Sequence, residues 1–209
     1  MKIGIFGGTF NPIHYGHLRA AEEVREKAGL DKVIFIPSHI PPHKELAGAV
    51  PSEKRLQIVR TAINGNPGFG LSSFEVDQGG SSYSIKTIGH IRETSGVTPS
   101  FILGQDAFND ISTWYEAPRL FDQANFIVMS RPRAKRPDIG EVLGGAALDF
   151  REDGDGYVNR VGNRIDFMAV TQLDISSSLI RALCREGKSI RYLVPPEVEE
   201  YIIQERIYR

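Results

Sequence analysis

Gly7-Gly8-Thr9-Phe10-Asn11-Pro12-Ile13-His14-Tyr15-Gly16-His17 is the stretch whose reading decides the fold. The apolar run Ile3-Gly4-Ile5-Phe6 leads into it and reads as a buried strand. After it, Leu18, Ala21, Val24 and Ala28 recur at near-helical spacing, and Gly29 stands where a helix-ending glycine is expected. Strand, glycine-rich turn and helix start together aim backbone N–H groups and a helix dipole at one point, a natural seat for a phosphate. If the helix begins near His14 or Tyr15, His14 and His17 share its first turn and both imidazoles face that anion site. Gly16 between them leaves room for a ligand to approach the backbone. Charged or neutral, an imidazole can donate an N–H to a phosphoryl oxygen.

Two better-known phosphate motifs are absent. No Gly-x-x-x-x-Gly-Lys-Ser/Thr occurs, and Gly4, Gly7 and Gly8 do not form Gly-x-Gly-x-x-Gly. The second strand, Val33-Ile34-Phe35-Ile36, ends in Pro37-Ser38 instead of the acidic residue that a dinucleotide site places on a ribose. A dehydrogenase is thereby disfavoured.

The chain's 209 residues suffice for one well-buried domain, and a net charge of −1 gives no bulk attraction to nucleic acid or an anionic membrane. The single cysteine, Cys184, excludes an intramolecular disulfide and reads as a packed thiol in a helix. No signal peptide or membrane-length apolar run is evident, which predicts a cytoplasmic protein.

Further along, Ser38-His39-Ile40-Pro41-Pro42-His43-Lys44 follows a strand end, where open α/β sheets bind ligands, and Lys44 offers a point charge. Ser52 is a plausible cap for a helix carrying Leu56, Val59 and Ile63. A strand is expected over Leu71–Val76, and a helix with Ile85, Ile88 and Ile91 follows the polar turn Gly79–Ser84. Phe101-Ile102-Leu103 reads as a strand running into Gly104-Gln105-Asp106. From chemistry alone, Asp106 is equally a helix cap or an acceptor for ribose hydroxyls. Phe126–Met129 is the fifth strand, and the basic run Arg131, Arg133, Lys135, Arg136 behind it is either a solvated loop or an attractor of phosphates. Residues 137–162 are the least legible; Asp153-Gly154-Asp155-Gly156 lacks the later ligands of a calcium loop. Ile165–Val170 resumes strand alternation. Ser176, Ser177 and Ser178 open a helix, and Arg181 one turn on completes a second phosphate cradle. A terminal helix after Pro195-Pro196, carrying Val198, Tyr201 and Ile202, reads as packing alone. Strands alternating with helices argue for an open parallel α/β sheet.

His14-Tyr15-Gly16-His17 resembles the signature of the HxGH nucleotidyltransferases, and Ile175-Ser176-Ser177-Ser178-Leu179-Ile180-Arg181 resembles their second signature, with Ser178 where Thr is usual. The two stand in the family's order, more than a hundred residues apart, within a likeness that runs over nearly the whole chain. It is closest to the bacterial branch that uses nicotinate mononucleotide. The resemblance implies a Rossmann-like parallel sheet with helices on both faces, one domain over residues 1–209, and a C-terminal helical extension. It implies adenylyl transfer from ATP to nicotinate mononucleotide in NAD biosynthesis, with Mg2+ bridging ATP oxygens and few protein ligands to the metal. Catalysis would fall to His14, His17, Lys44 and Arg181. Substrate contacts would come from Gly7, Gly8, Thr9, Phe10, Thr87, Gly104, Asp106, Trp114, Ser176, Ser177 and Ser178. Thr87 and Trp114 would adjoin the pyridine ring, and Gly104 and Asp106 the adenosine. A homo-oligomer is compatible with the sequence. Rival acceptors are phosphopantetheine, whose enzymes are shorter and carry Thr at the first motif position, and nicotinamide mononucleotide. A non-catalytic regulator would be expected to have lost a motif histidine or the arginine.

Overall fold

Ile3 and Ile5 point to one face of their strand and Phe6 to the other, so β1 (Ile3–Gly8) must be covered on both sides. The computed structural model, which describes residues 1–41, 50–132 and 134–209, supplies that cover. The sheet runs β3-β2-β1-β4-β5-β8-β7-β6, from β2 (Lys32–Pro37) and β3 (Phe69–Leu71) on one side to β4 (Ser100–Gly104), β5 (Asn125–Ser130) and β8 (Arg164–Ala169) on the other. These six strands are parallel; β6 (Phe150–Asp153) and β7 (Gly156–Asn159) add an antiparallel hairpin at the edge. Helices α1 (Tyr15–Lys27), α2 (Ser52–Ile63), α8 (Ser177–Arg185) and α9 (Pro196–Gln204) pack around Phe6, Phe35 and Val24 on one face. The other face is covered by α4 (Ser84–Ser95), α5 (Gln105–Asn109), α6 (Ala117–Gln123) and α7 (Ile139–Leu143) over Ile5, Phe101 and Phe126. This is the single α/β domain of Rossmann-like type that the sequence implies, and no described helix is long and apolar enough to cross a membrane.

The chain moves outward from β1 to β2 and β3, then returns past β1 to lay down β4. The carboxyl ends of β1 and β4 therefore diverge at a switch point, which is where such sheets open a crevice.

Two expectations need correction: the residue before α2 is Pro51, with Ser52 already inside the helix, and one strand is shorter than expected. The strand expected over Leu71–Val76 ends at Leu71, and Phe74–Gln78 is a short helix, α3. Ser72 Oγ accepts from the Phe74 N–H and Ser73 Oγ donates to Asp77, so paired serines start a helix where apolar alternation suggested a strand. Residues 150–159, illegible in sequence, form the hairpin, with Gly154-Asp155 as its turn. The segment after α9, for which the sequence carried no reading, brings Tyr208 to the first turn of the fold.

Glu23 joins α1 to the strand end opposite. Its side chain, 5 % exposed, accepts from the Thr171 N–H at 3.1 Å and pairs with Arg19 at 2.8 Å and Lys27 at 3.1 Å; Lys27 also donates to the Ala169 carbonyl. Burial alone would raise its pKa, but hydrogen bonds from Thr171, Arg19 and Lys27 outweigh that and hold it at about 2. A carboxyl depressed in this way stabilises the fold above its unfolded pKa near 4.5, and that stabilisation is lost as pH falls towards 2. Glu23→Ala should lower the unfolding free energy at neutral pH by about 1 kcal/mol in urea titration, since the Thr171 amide and the half-exposed Arg19 and Lys27 lose their shared acceptor. A change below about 0.5 kcal/mol would mean that the pairing is only decorative.

Candidate active site

The first helix begins where the sequence placed it. His14 is the residue before α1, with extended backbone (φ −149°), and its carbonyl accepts the first helical bonds from His17 and Leu18. His17, three residues on, turns its ring back: Nδ1 accepts the His14 main-chain N–H at 3.3 Å. The two imidazoles lie 3.8 Å apart, centre to centre, at an interplanar angle of 33°. Gly16 has a second reason to be glycine, because a Cβ there would come within 3.0 Å of the His14 ring. Phe10 adopts left-handed backbone (φ +46°) and folds back over Gly8, where a Cβ would lie 3.0 Å from its ring. Its side chain is 3 % exposed and packs edge-on against Phe6 and His17. The sequence assigned Phe10 to the substrate; the structure makes its ring the floor beneath His17, leaving only its backbone available to a ligand.

Both histidines are held neutral. Burial lowers the His14 pKa to about 4. Burial and then the neighbouring His14 lower that of His17 to about 3. Because Nδ1 of His17 accepts a hydrogen bond, the neutral ring carries its proton on Nε2, the free donor. Nδ1 of His14 is buried without a partner among the described residues.

A cleft of about 350 Å³ opens at the switch point, lined by His14, Gly16 and His17, by Gly104 and Asp106 after β4, and by Arg131 after β5. Val170–Leu173 and Ile175 form the wall leading into α8. Asp106 is exposed in the first turn of α5 and caps nothing with its side chain. Of the basic run, Arg131 faces the cleft, whereas Arg136 lies 3.9 Å from the centre of the Tyr157 ring and serves packing; Arg133 falls outside the described residues. Lys44 and His43 also fall outside them.

The second cradle closes on the first. Ser176 caps α8 by accepting from Leu179 N–H at 3.1 Å, and Ser177 Oγ donates to the Pro12 carbonyl at 2.8 Å. Arg181 donates to the Asn11 carbonyl at 2.8 Å and to Ser178 Oγ at 3.2 Å. Two segments joined by bonds that span 165 and 170 residues thus share one turn. Arg55, which the sequence did not single out, is 1 % exposed and donates to the carbonyls of Thr9, His39 and Val50. Nothing in the sequence marks it, since its place in α2 has the spacing of any amphipathic helix.

Of the expected site residues described, His14, His17, Gly104 and Asp106 line this cleft; Gly7, Gly8, Thr9, Phe10, Thr87, Trp114, Ser176, Ser177, Ser178 and Arg181 do not. Thr87 is 1 % exposed and its hydroxyl donates to Glu75 at 2.5 Å, while burial raises the Glu75 pKa. Trp114 is half-buried, edge-on to Phe101 at 6.0 Å. A Tyr83–Tyr115 contact, 4.7 Å between centres, brings the start of α4 and the Trp114 segment together beside the sheet.

The chain matches the cytidylyltransferase-like family over residues 5–183. A Pelobacter propionicus protein named "Probable nicotinate-nucleotide adenylyltransferase" is 47% identical, covering 100% of this chain and 98% of its own. One of the same name from Geotalea daltonii is 45% identical with the same coverage. Among solved structures, the Plasmodium falciparum nicotinic acid mononucleotide adenylyltransferase complexed with NaAD superposes with a TM-score of 0.72 at 20% identity, over 99% of this chain and 97% of that one. On full-length likeness at this level, the chain belongs to the cytidylyltransferase-like nucleotidyltransferases and, within them, to the nicotinate-nucleotide adenylyltransferases.

Proposed function

We propose that this cleft transfers the adenylyl group of ATP to nicotinate mononucleotide, giving nicotinate adenine dinucleotide and pyrophosphate. The observation that carries the reading is the His14–His17 pair, whose mutual hydrogen bond leaves one neutral imidazole N–H at the helix-start mouth of the cleft. An oxygen of the mononucleotide's 5′-phosphate attacks the α-phosphorus; the bond from that phosphorus to the bridging oxygen breaks, and pyrophosphate leaves with the electron pair. The nucleophile is already ionised at neutral pH, so no general base is needed. What remains is to align two polyanions and to meet the charge that develops on the α-phosphoryl and on the leaving group. His17 donates Nε2–H to an α-phosphoryl oxygen. His14 and the backbone of Gly7–Thr9 receive the triphosphate, with Lys44 as a further cation. Arg181 and Ser176–Ser178 hold the departing pyrophosphate from the other side. Gly104 lets adenosine approach the β4 end, and Asp106 accepts its ribose hydroxyls.

Mg2+ enters with ATP as part of that substrate. No group of three or more His, Cys, Asp or Glu stands ready to hold a metal among the described residues, and Asp106 is the one carboxylate lining the cleft. That donor set fits a metal carried by phosphate oxygens, which screens the triphosphate charge. The pyridine ring stacks on Trp114, and the free first-turn N–H groups of α4, the helix in which Thr87 is anchored on Glu75, donate to its carboxylate. A donor-lined site favours the acid over the amide, whose NH2 would face another donor.

His17→Ala should fold normally and lose about a hundredfold in kcat. A folded variant with near-normal turnover would refute the role. Arg181→Lys keeps the charge but loses the planar fork, so kcat/KM for ATP should fall about tenfold or more, and wild-type kinetics would reduce the serine cradle to simple capping. Trp114→Ala should raise KM for nicotinate mononucleotide about fivefold while leaving that for ATP within about twofold; an unchanged acceptor KM would return Trp114 to the core. The histidines also give a pH signature. Their folded pKa values of about 4 and about 3 lie below the unfolded 6.5, so the unfolded chain binds more protons as pH falls. Unfolding free energy should therefore decline from about pH 6.5 to about pH 4, by up to about 1.4 kcal/mol per pH unit for each histidine. His17→Ala should flatten the slope, and an unaltered slope would mean that His17 is not held neutral.

A further inference from the structure

The turn from Thr9 to Tyr15 is held partly by a residue that neither signature contains. Tyr208 donates its phenol hydrogen to the Asn11 side-chain oxygen at 2.8 Å. Asn11 is itself 6 % exposed, and its main-chain carbonyl takes the Arg181 guanidinium at 2.8 Å. One asparagine thus joins the phenol to the arginine, through its two carbonyl groups. We propose that Tyr208 is a positioning residue for adenylyl transfer, fixing Asn11 so that its carbonyl aims Arg181 at the triphosphate; this rests on the reading that Arg181 holds those phosphates.

The backbone around Tyr208 is arranged for that contact. Arg206 and Tyr208 both adopt left-handed conformations (φ +51° and +69°), which cost free energy for residues with a side chain. Such conformations persist where surrounding contacts impose them. Ile207 between them is 4 % exposed in the α9 core, and its N–H returns to the Ile202 carbonyl at 3.0 Å. The reversal after α9 therefore anchors on Ile207 and throws the Tyr208 ring back over the first turn of the fold. Burial pushes the phenol pKa up despite nearby Arg55 and Arg181, so the hydroxyl stays protonated, and a donor, across any working pH. Without it, the Asn11 amide oxygen loses its partner in a buried place. Asn11, whose main-chain carbonyl anchors Arg181, is then no longer tied down through its side chain, and the turn that carries that carbonyl loses one of its fixed points.

The test is Tyr208→Phe, which removes one oxygen and keeps the ring, with steady-state kinetics in both substrates and the same change repeated in an Arg181→Ala background. The proposal expects kcat/KM for ATP to fall about tenfold with KM for nicotinate mononucleotide within about twofold, and it expects the further loss in the Arg181→Ala background to be less than about twofold. A purely structural tyrosine would instead impair both substrates alike and would cost as much without Arg181 as with it; either result overturns the proposal. So does Tyr208→Phe with wild-type kinetics while Arg181→Ala is impaired. Should Arg181→Ala alone behave as wild type, the phosphate role of Arg181 fails first, and the positioning role falls with it.

Discussion

Four side chains from distant parts of the chain donate hydrogen bonds into the turn between β1 and α1, and its shape depends on them. Arg55 reaches the Thr9 carbonyl, Arg181 that of Asn11, Ser177 that of Pro12, and Tyr208 the Asn11 amide oxygen. A turn that must leave its N–H groups free for a ligand cannot fold back to satisfy its own carbonyls, and a buried carbonyl without a partner costs about as much as a lost hydrogen bond. The remote donors resolve this by meeting the carbonyls from behind. The rest of the sheet and helices then serves to bring α2, α8 and the segment after α9 within reach of one strand end. Glu23 does the same for the opposite wall, tying α1 to the Thr171 amide beside the cleft.

The electrostatics of the pair follow from that geometry. Burial keeps both imidazoles neutral, with the neighbouring His14 adding to it for His17, and the bond from His14 N–H fixes which nitrogen of His17 keeps its hydrogen. On the proposed reading, the charge of a bound triphosphate would oppose that burial and favour imidazolium. The Arg55 guanidinium makes its hydrogen bonds to three carbonyls, and burial lowers its pKa.

The alternation of strands and helices and the two signatures were legible because they depend on local spacing. Ile3-Gly4-Ile5-Phe6 can be little else than a buried strand, and His14, Gly16 and His17 take meaning from intervals of two and three. What escaped depends on contacts between distant segments. Arg55 has the spacing of any helix-surface arginine, and only the fold reveals that carbonyls from two loops surround it. Tyr208 follows an amphipathic helix whose pattern is fully explained by packing, so its reach across the molecule leaves no trace in sequence. Thr87 could be placed in the first turn of a helix, but its burial against Glu75 needed α3, which apolar alternation had disguised as strand. Phe10 sat inside the motif and was read as ligand-facing; its left-handed backbone turns the ring into the core instead.

The most direct measurement follows the α-phosphate. ATP labelled there would be incubated with this protein and, separately, nicotinate mononucleotide, nicotinamide mononucleotide and phosphopantetheine, and the label traced in the products. The account predicts label in a dinucleotide, unlabelled pyrophosphate, and transfer to the acid mononucleotide at least about tenfold more efficient than to either rival. Label left in ATP with every acceptor, or equal or better transfer to phosphopantetheine, would contradict it.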